Sequence, residues 1–179
     1  HGQIYRGMDG AHPEAGHHII DPSGPLCYCG ARGCWESLAC GEALTEYSRQ
    51  MAREDPELLR ELKLSAPDVV TGAAVAKAAG KGSPKALEIM RREARYLAMG
   101  LLNLITVYVP EMVVLSGGVI DAYDLLKPEI EETMRKNNLM VPADKVTILP
   151  AKLGYFSGVI GGAYALLLRQ RSLAETTKR

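Results

Sequence analysis

The sequence has no surplus of either charge, no long apolar run and little cysteine. Each shortage excludes something. Its 21 basic and 21 acidic residues cancel, so no basic excess points to nucleic acid and no polybasic tail points to a membrane surface. The longest apolar stretch, Leu97 to Val109, is short for a membrane span and carries Asn103 and Thr106 before Pro110 and Glu111. No signal peptide opens the chain, and no internal repeat or low-complexity segment appears in it. Cysteine occurs four times in 179 residues. A chain of this length, with an ordinary apolar fraction, does not need disulfide staples. The length allows one domain or a large part of one.

The scarce cysteine is concentrated. Three of the four thiols fall in the run Cys27-Tyr28-Cys29-Gly30-Ala31-Arg32-Gly33-Cys34, with Glu36 just after and His17 ten residues before. Thiolates separated by one residue can bind one ion from a single bend, and Gly30 and Gly33 let the backbone turn so that Cys34 reaches the same point. Structural zinc takes four ligands in a closed tetrahedron. The cysteines supply three, and a histidine is the natural fourth; on spacing alone His17 and its neighbour His18 are both open. Two plainer readings compete. Cys27 and Cys29 are too close to pair comfortably as a disulfide, and ordinary buried thiols would not cluster in this way. Cys40 lies outside the run and reads as a small apolar residue. Reduced thiols, zinc and no targeting segment together predict the cytoplasm.

The periodicity predicts an α/β chain. Gln3 to Arg6 reads as a strand, one arm of a hairpin, and His12 to Cys34 is loop-rich with a turn at Asp21-Pro22-Ser23-Gly24. Trp35 to Glu54, Glu57 to Leu64 and Asp68 to Ala79 read as helices, the last stopped by Gly80-Lys81-Gly82. The clearest helix starts at Ser83, an N-cap with Pro84 at the first helical position. Its stripe of Leu87, Met90, Ala94, Leu97, Leu101 and Leu104 marks a core element. Glu111 to Leu115 reads as a buried strand, Tyr123 to Lys136 as a helix interrupted at Pro128, and Val146 to Leu149 as a strand. Ser157 is expected to cap a last helix to about Arg171, apolar nearly all round and therefore buried. Glu175 to Arg179 reads as a frayed tail. The pair Gly117-Gly118 follows a strand, where α/β proteins place phosphates and nucleotides; the plainer reading is glycines that only turn the chain. Gly154 and Gly161-Gly162 read as turns and close helix packing.

The run Glu14-Ala15-Gly16-His17, then Cys27-x-Cys29-Gly30-x-x-Gly33-Cys34-x-Glu36, resembles the signature of the ROK family (repressors, uncharacterised reading frames and sugar kinases). Further segments carry the likeness along the chain: Gln3 to Gly7 with Gly10, Val113 to Val119, Ala151-x-Leu153-Gly154 and Gly161-Gly162-Ala163. The resemblance implies an actin-like, ribonuclease-H-like ATPase fold, of which this chain is the C-terminal lobe with a zinc loop. It divides the chain into a hairpin and zinc/sugar loop over 1–36, a helical segment over 37–110 and an α/β segment over 111–175. It implies zinc on His17, Cys27, Cys29 and Cys34, sugar contacts from Glu14, His17 and Glu36, and a nucleotide near Gly117 and Gly118. Carboxylates held by a metal-pinned loop are strong acceptors for sugar hydroxyls. Without the resemblance, Glu14 and Glu36 would read as solvated surface residues, and Glu36 as a residue favouring a helix start.

The departures from the family pattern are specific. Neither the Asp-x-Gly-x-Thr phosphate loop nor the Asn-Asp pair holding the catalytic base occurs in the sequence. The resemblance therefore implies the C-terminal portion of a longer protein, or a truncated one, inactive by itself. The parent protein would transfer a phosphoryl group from ATP, with Mg²⁺, to a hexose or N-acetylhexosamine, glucose as the first choice. A sugar-sensing transcriptional repressor is the alternative, with nucleic acid a partner only if a helix-turn-helix lies upstream; a zinc-stabilised fragment without ligand binding is the third reading. Pro13 stands where the family has glycine and restricts His12, and Cys40 stands where serine is common. Half of a two-lobed protein exposes apolar surface, so association, as a homodimer above all, is expected.

Overall fold

Ser83 starts the helix on which the other elements are assembled. Its hydroxyl accepts the Ala86 N–H at 3.2 Å, and Pro84 occupies the first turn, where its missing N–H costs nothing. In the computed structural model, which describes residues 4–137 and 140–176, this helix runs Pro84–Tyr108 as α5. Ala86, Met90, Ala94, Leu97, Leu101 and Ile105 make its sealed face, while Leu87 and Leu104 lie half-buried at the margins. The helices α2 (Gly41–Glu54), α3 (Pro56–Leu62) and α4 (Gly72–Ala79) pack on one side of it, and α6 (Tyr123–Asn137) packs along it. Two short parallel strands flank α6 in the chain, β1 (Met112–Leu115) and β2 (Thr147–Pro150), in register from Met112 opposite Thr147 to Leu115 opposite Pro150. The last helix, α7, spans Ser157–Thr176.

Several expectations are corrected. The predicted helix from Trp35 to Glu54 is two: α1 (Trp35–Leu38) ends at Ala39, and α2 restarts after Cys40. Cys40 is not a passive apolar residue, because its sulfur accepts the Ala43 N–H at 3.4 Å and caps α2. The helix read over Asp68 to Ala79 is a 3-10 turn, Pro67–Val69, followed by α4, whose N-cap is Thr71. Pro128 does not interrupt α6, which is continuous through it. The strand expected at Gln3 to Arg6 is absent over Ile4–Arg6, since no described segment offers a partner backbone; Gln3 lies outside the described residues. β1 is buried on one face only, with Met112 and Val114 exposed. α7 is not buried: Val159, Tyr164, Leu166 and Leu167 are all exposed, because no described element covers that surface. Ser157 lies inside α7 and donates its hydroxyl hydrogen to the Gly154 carbonyl at 2.7 Å. A Cβ at Gly161 or Gly162 would meet nothing, so neither serves close packing, whereas Gly154 does turn the chain at a φ of 51°. Glu175 and Thr176 belong to α7, and the rest of the expected tail lies outside the described residues.

Two contacts tie the N-terminal loop to α5: the Tyr96 hydroxyl donates to the Asp21 carboxylate at 3.3 Å, and Trp35 docks on Gly100. A Cβ placed on Gly100 of α5 would lie 2.0 Å from Cε2 of Trp35. The indole therefore rests on bare helix backbone, where only glycine fits. A Gly100→Ala variant should lower stability by about 1–3 kcal/mol through overpacking. The protein has one tryptophan, so urea unfolding followed by its fluorescence reports both the loss and the displaced indole.

Candidate metal and sugar site

The loop before α1 is held by its own backbone. Asp21 opens a turn in which its carboxylate accepts the Ser23 N–H at 3.0 Å and its carbonyl accepts the Gly24 N–H at 2.8 Å. The Ile20 N–H reaches the Gly33 carbonyl at 2.9 Å, and the Gly33 N–H reaches the Pro25 carbonyl at 2.9 Å. Gly33 sits at a φ of 71°, and a Cβ there would lie 1.5 Å from the Asp21 carbonyl oxygen, so no other residue fits. Within this fold the Cys27 N–H donates to the Ala31 carbonyl at 2.8 Å, and Gly30 takes a φ of 92° to close the bend.

These turns bring one nitrogen and three sulfurs together. His17, Cys27, Cys29 and Cys34 offer ligand atoms that all lie within 4.8 Å of one another. His17 Nδ1 is 3.5 Å from the Cys27 sulfur, and the Cys29 and Cys34 sulfurs are 3.5 Å apart. Tetrahedral zinc, with bonds of about 2.3 Å to sulfur and about 2.0 Å to nitrogen, sets ligand–ligand separations of roughly 3.5–3.8 Å. The donor set fits zinc in kind and number, and these two pairs already have the separation a tetrahedron needs. His18 is turned elsewhere: its Nδ1 bonds the Ala15 carbonyl and its ring lies against Trp35 at a centroid distance of 5.4 Å. Burial, then hydrogen bonding with Cys29, pushes the Cys34 thiol up to about 12, while the Ala31 backbone N–H and then Cys34 draw the Cys29 thiol down. A cation among them would take the place of those protons, since thiolates are the ligands.

The loop's outer side carries the acidic residues. A Cβ on Gly16 would lie 2.8 Å from a Glu36 carboxylate oxygen, so the absence of a side chain at Gly16 lets Glu36 lie against the turn that holds His17. Glu14 precedes that 3-10 turn and is exposed. Tyr28, which sequence reasoning passed over, joins the parts. Its hydroxyl is 2.9 Å from His17 Nε2, its ring meets the imidazole edge-on at 4.9 Å, and its phenol is raised by desolvation, then by the charge of Glu36 and more weakly by that of Glu14. The signal was its position between two cysteines of a ligand bend.

Glu36 also faces inward. With Gly16, Trp35, Gly117, Gly118 and Glu93 it lines a cavity of about 320 Å³ between α1, α5 and the end of β1. Of the residues expected at sugar and nucleotide, Glu36, Gly117 and Gly118 line this cavity, and Glu14 and His17 are not among its lining residues. Glu93 is a second residue that pattern reading missed. Its charge belongs on a surface helix, yet it is 1 % exposed. Burial raises its pKa to about 8, against a small opposing pull from Arg92.

The sequence model of the ROK family matches residues 1–170. The glucokinase of Streptomyces coelicolor is 34% identical over 168 residues, which is 90% of this chain and 52% of that protein. Among solved structures, a ROK family glucokinase from Streptomyces griseus in complex with glucose and AMPPNP superposes with a TM-score of 0.80 at 33% identity, over 94% of this chain and 55% of that one. A ROK family transcriptional regulator, a homolog of the Escherichia coli MLC protein, superposes with a TM-score of 0.70 at 27% identity, over 83% of this chain and 37% of that one. The chain spans about half the length of the curated glucokinase it matches. No described helix is long and apolar enough to cross a membrane.

Glu93 gives a prediction for pH. Its folded pKa lies above the ordinary 4.5, so the folded protein holds a proton that the unfolded chain releases. Stability should then be greatest near pH 4.5 on this account and fall as pH rises toward 8. Glu93→Gln removes the dependence and should be more stable than the parent at pH 8 by about 2–4 kcal/mol, with near parity at pH 4.5, in paired urea titrations. Equal slopes against pH for the two proteins would refute it. From the matched residues, the superposition and this loop, the chain belongs to the ROK family and has its mixed α/β, actin-like ATPase fold.

Proposed function

We propose that this chain is the zinc-pinned, sugar-binding lobe of a ROK sugar kinase that acts on a hexose or N-acetylhexosamine, with glucose as the first choice. The observation that carries the reading is the position of Glu36. It stands two residues after the last cysteine of the ligand cluster and lines the same pocket as Gly117 and Gly118. The likeness to Streptomyces glucokinases supports glucose and ATP as the ligands.

In this reading His17 binds zinc through Nδ1, and its Nε2 faces the Tyr28 hydroxyl, a partner that fixes the ring's orientation. Cys27, Cys29 and Cys34 complete the tetrahedron, and the metal is structural. Glu14 and Glu36 accept hydrogens from sugar hydroxyls, with His17 on the same face. Such charge-assisted bonds gain strength where a rigid loop presents the acceptors. Gly117 and Gly118 lie beside the nucleotide, which supplies the phosphoryl group together with Mg²⁺ in the complete protein. An aspartate outside these residues takes the hydroxyl proton, so the chain alone phosphorylates no sugar. The uncovered apolar faces of β1 and α7 support association with further protein, a second copy included. The parent enzyme is placed in the cytoplasm, in keeping with reduced thiols. The segments 1–36, 37–110 and 111–175 act here as loop, helical support and nucleotide side.

The repressor reading is favoured by one observation, the superposition on a ROK transcriptional regulator. There the same pocket reads sugar without chemistry. An upstream helix-turn-helix would decide for it; an upstream Asp-x-Gly-x-Thr loop and Asn-Asp pair would decide for the kinase.

Calorimetric titration with glucose tests the sugar site. Glu36→Gln should weaken binding about 10- to 100-fold, the worth of a charge-assisted hydrogen bond. An unchanged affinity would remove Glu36 from the site. Metal analysis tests the cluster. One zinc per chain is expected, and Cys34→Ser or a chelator should abolish it and lower Tm by roughly 5–10 °C, about 2–3 kcal/mol at this size, with proteolysis beginning in the loop from His17 to Glu36. A stability indifferent to chelation would count against a structural metal.

A further inference from the structure

We propose that Glu93 is a further sugar-binding residue, which hydrogen-bonds a hydroxyl of the bound sugar at the inner end of the pocket bounded by Glu36 and the Gly117–Gly118 turn. This rests on the sugar-site reading and extends it from the loop to the core helix.

The starting point is an unpaired atom. Glu93 is 1 % exposed, and its Oε2 has no hydrogen-bond partner among the described residues. A buried carboxyl without partners costs free energy that a helix-facing leucine at the same place would not. Buried polar atoms left open in this way call for a physical reason. Glu93 lies on the face of α5 that also carries Leu97 and Gly100, one turn and two turns further on. Gly100 is where Trp35 rests. The same face therefore supports the indole and brings Glu93 to the wall of a cavity that Glu36 also lines.

The chemistry of that cavity selects the ligand. No lysine, arginine or histidine lines it. A phosphate placed between Glu36 and Glu93 would meet the Glu36 carboxylate without a compensating cation, so that part of the pocket suits a neutral group and the Gly117–Gly118 turn is left for the nucleotide. Apart from Glu36, Glu93, Ser116 and Cys40, the walls are apolar or glycine, with Trp35, Leu97 and Leu115 among them. A sugar offers both surfaces: C–H faces for the apolar walls and hydroxyls for the few polar atoms. An ionised carboxylate such as Glu36 can only accept hydrogens. Glu93 keeps its proton at neutral pH, because burial holds its pKa at about 8. It can thus donate to a hydroxyl oxygen and accept from a hydroxyl hydrogen. The competing account is a protonated carboxyl sealed in the core with no ligand to meet.

The test titrates glucose into the chain and into its Glu93→Leu and Glu93→Gln variants. Glu93→Leu should weaken binding at least tenfold with zinc content and Trp35 fluorescence unchanged. Glu93→Gln, whose amide keeps a donor and an acceptor, should lose less. A second readout does not depend on either variant's affinity: in the infrared difference spectrum on adding glucose, the carboxylic-acid carbonyl band should shift in the parent and be missing in Glu93→Gln. Glucose binding by Glu93→Leu equal to the parent's, or a carboxylic-acid band unmoved by glucose, would overturn the proposal while leaving the sugar site standing. A parent that binds no glucose at all would overturn the sugar-site reading and this proposal together. Should Glu93→Leu fail to fold, the infrared band of the parent decides alone.

Discussion

The docking of Trp35 on Gly100 is the contact on which the site depends. A loop with almost no regular structure cannot place ligands by itself; something must fix it to the core. Here the indole does most of this, seated where α5 has no side chain, with the Tyr96–Asp21 hydrogen bond beside it. Cys34 immediately precedes that tryptophan and Glu36 follows it. The buried thiol and the inward carboxylate are therefore positioned by one ring between them. The Trp35 backbone N–H also donates to the His18 carbonyl at 2.9 Å, which ties the histidine turn to the same point. Local backbone pairing, a metal-type cluster and a core helix thus meet within three residues.

The loop and the core helix contribute differently to the pocket. The loop and α1 supply charge through the inward Glu36, with the His17 and thiol cluster placed behind it. The helix supplies a dry wall with one proton-bearing group in it. Beside them, the end of β1 supplies bare backbone at Gly117, whose φ of 115° other residues rarely adopt. The arrangement puts rigid acceptors at the mouth and a low-dielectric interior below. In such surroundings hydrogen bonds are strong when made and costly when missing.

Much of this was legible in the sequence. The ligand cluster could be read because its spacing is local: His17, Cys27, Cys29 and Cys34 lie within one loop, and turn chemistry alone brings them together. The start of α5 was legible for the same reason, since Ser83 and Pro84 state it within two positions. What escaped depends on distant neighbours. Glu93 reads as a surface charge until α1 and β1 close over it. The open faces of β1 and α7 read as core, because apolar patterning reports what a segment needs covered and not whether these residues cover it. Cys40 escaped because a thiol is a weak acceptor and seldom considered as a cap. His17 and His18 could not be ranked by spacing without the resemblance; the backbone turn separates them by sending one ring toward the thiols and the other toward the indole.

The parallel pairing of β1 with β2 has a kinetic consequence. The two strands are joined only across the whole of α6, so they can register only after that helix has folded back. Contacts between segments far apart in sequence form late, since a long loop must close first. The ligand cluster of the cysteine loop closes over no more than 17 positions, from His17 to Cys34, whereas the loop reaches α5 only across the 65 positions between Trp35 and Gly100. The walls of the pocket that come from α1 and from the end of β1 should accordingly close only after the cysteine loop's own turns have formed, an order that pulsed amide exchange during refolding would reveal. A newly made chain would then hold its metal ligands before it has a complete cavity, and binding competence would lag behind compaction.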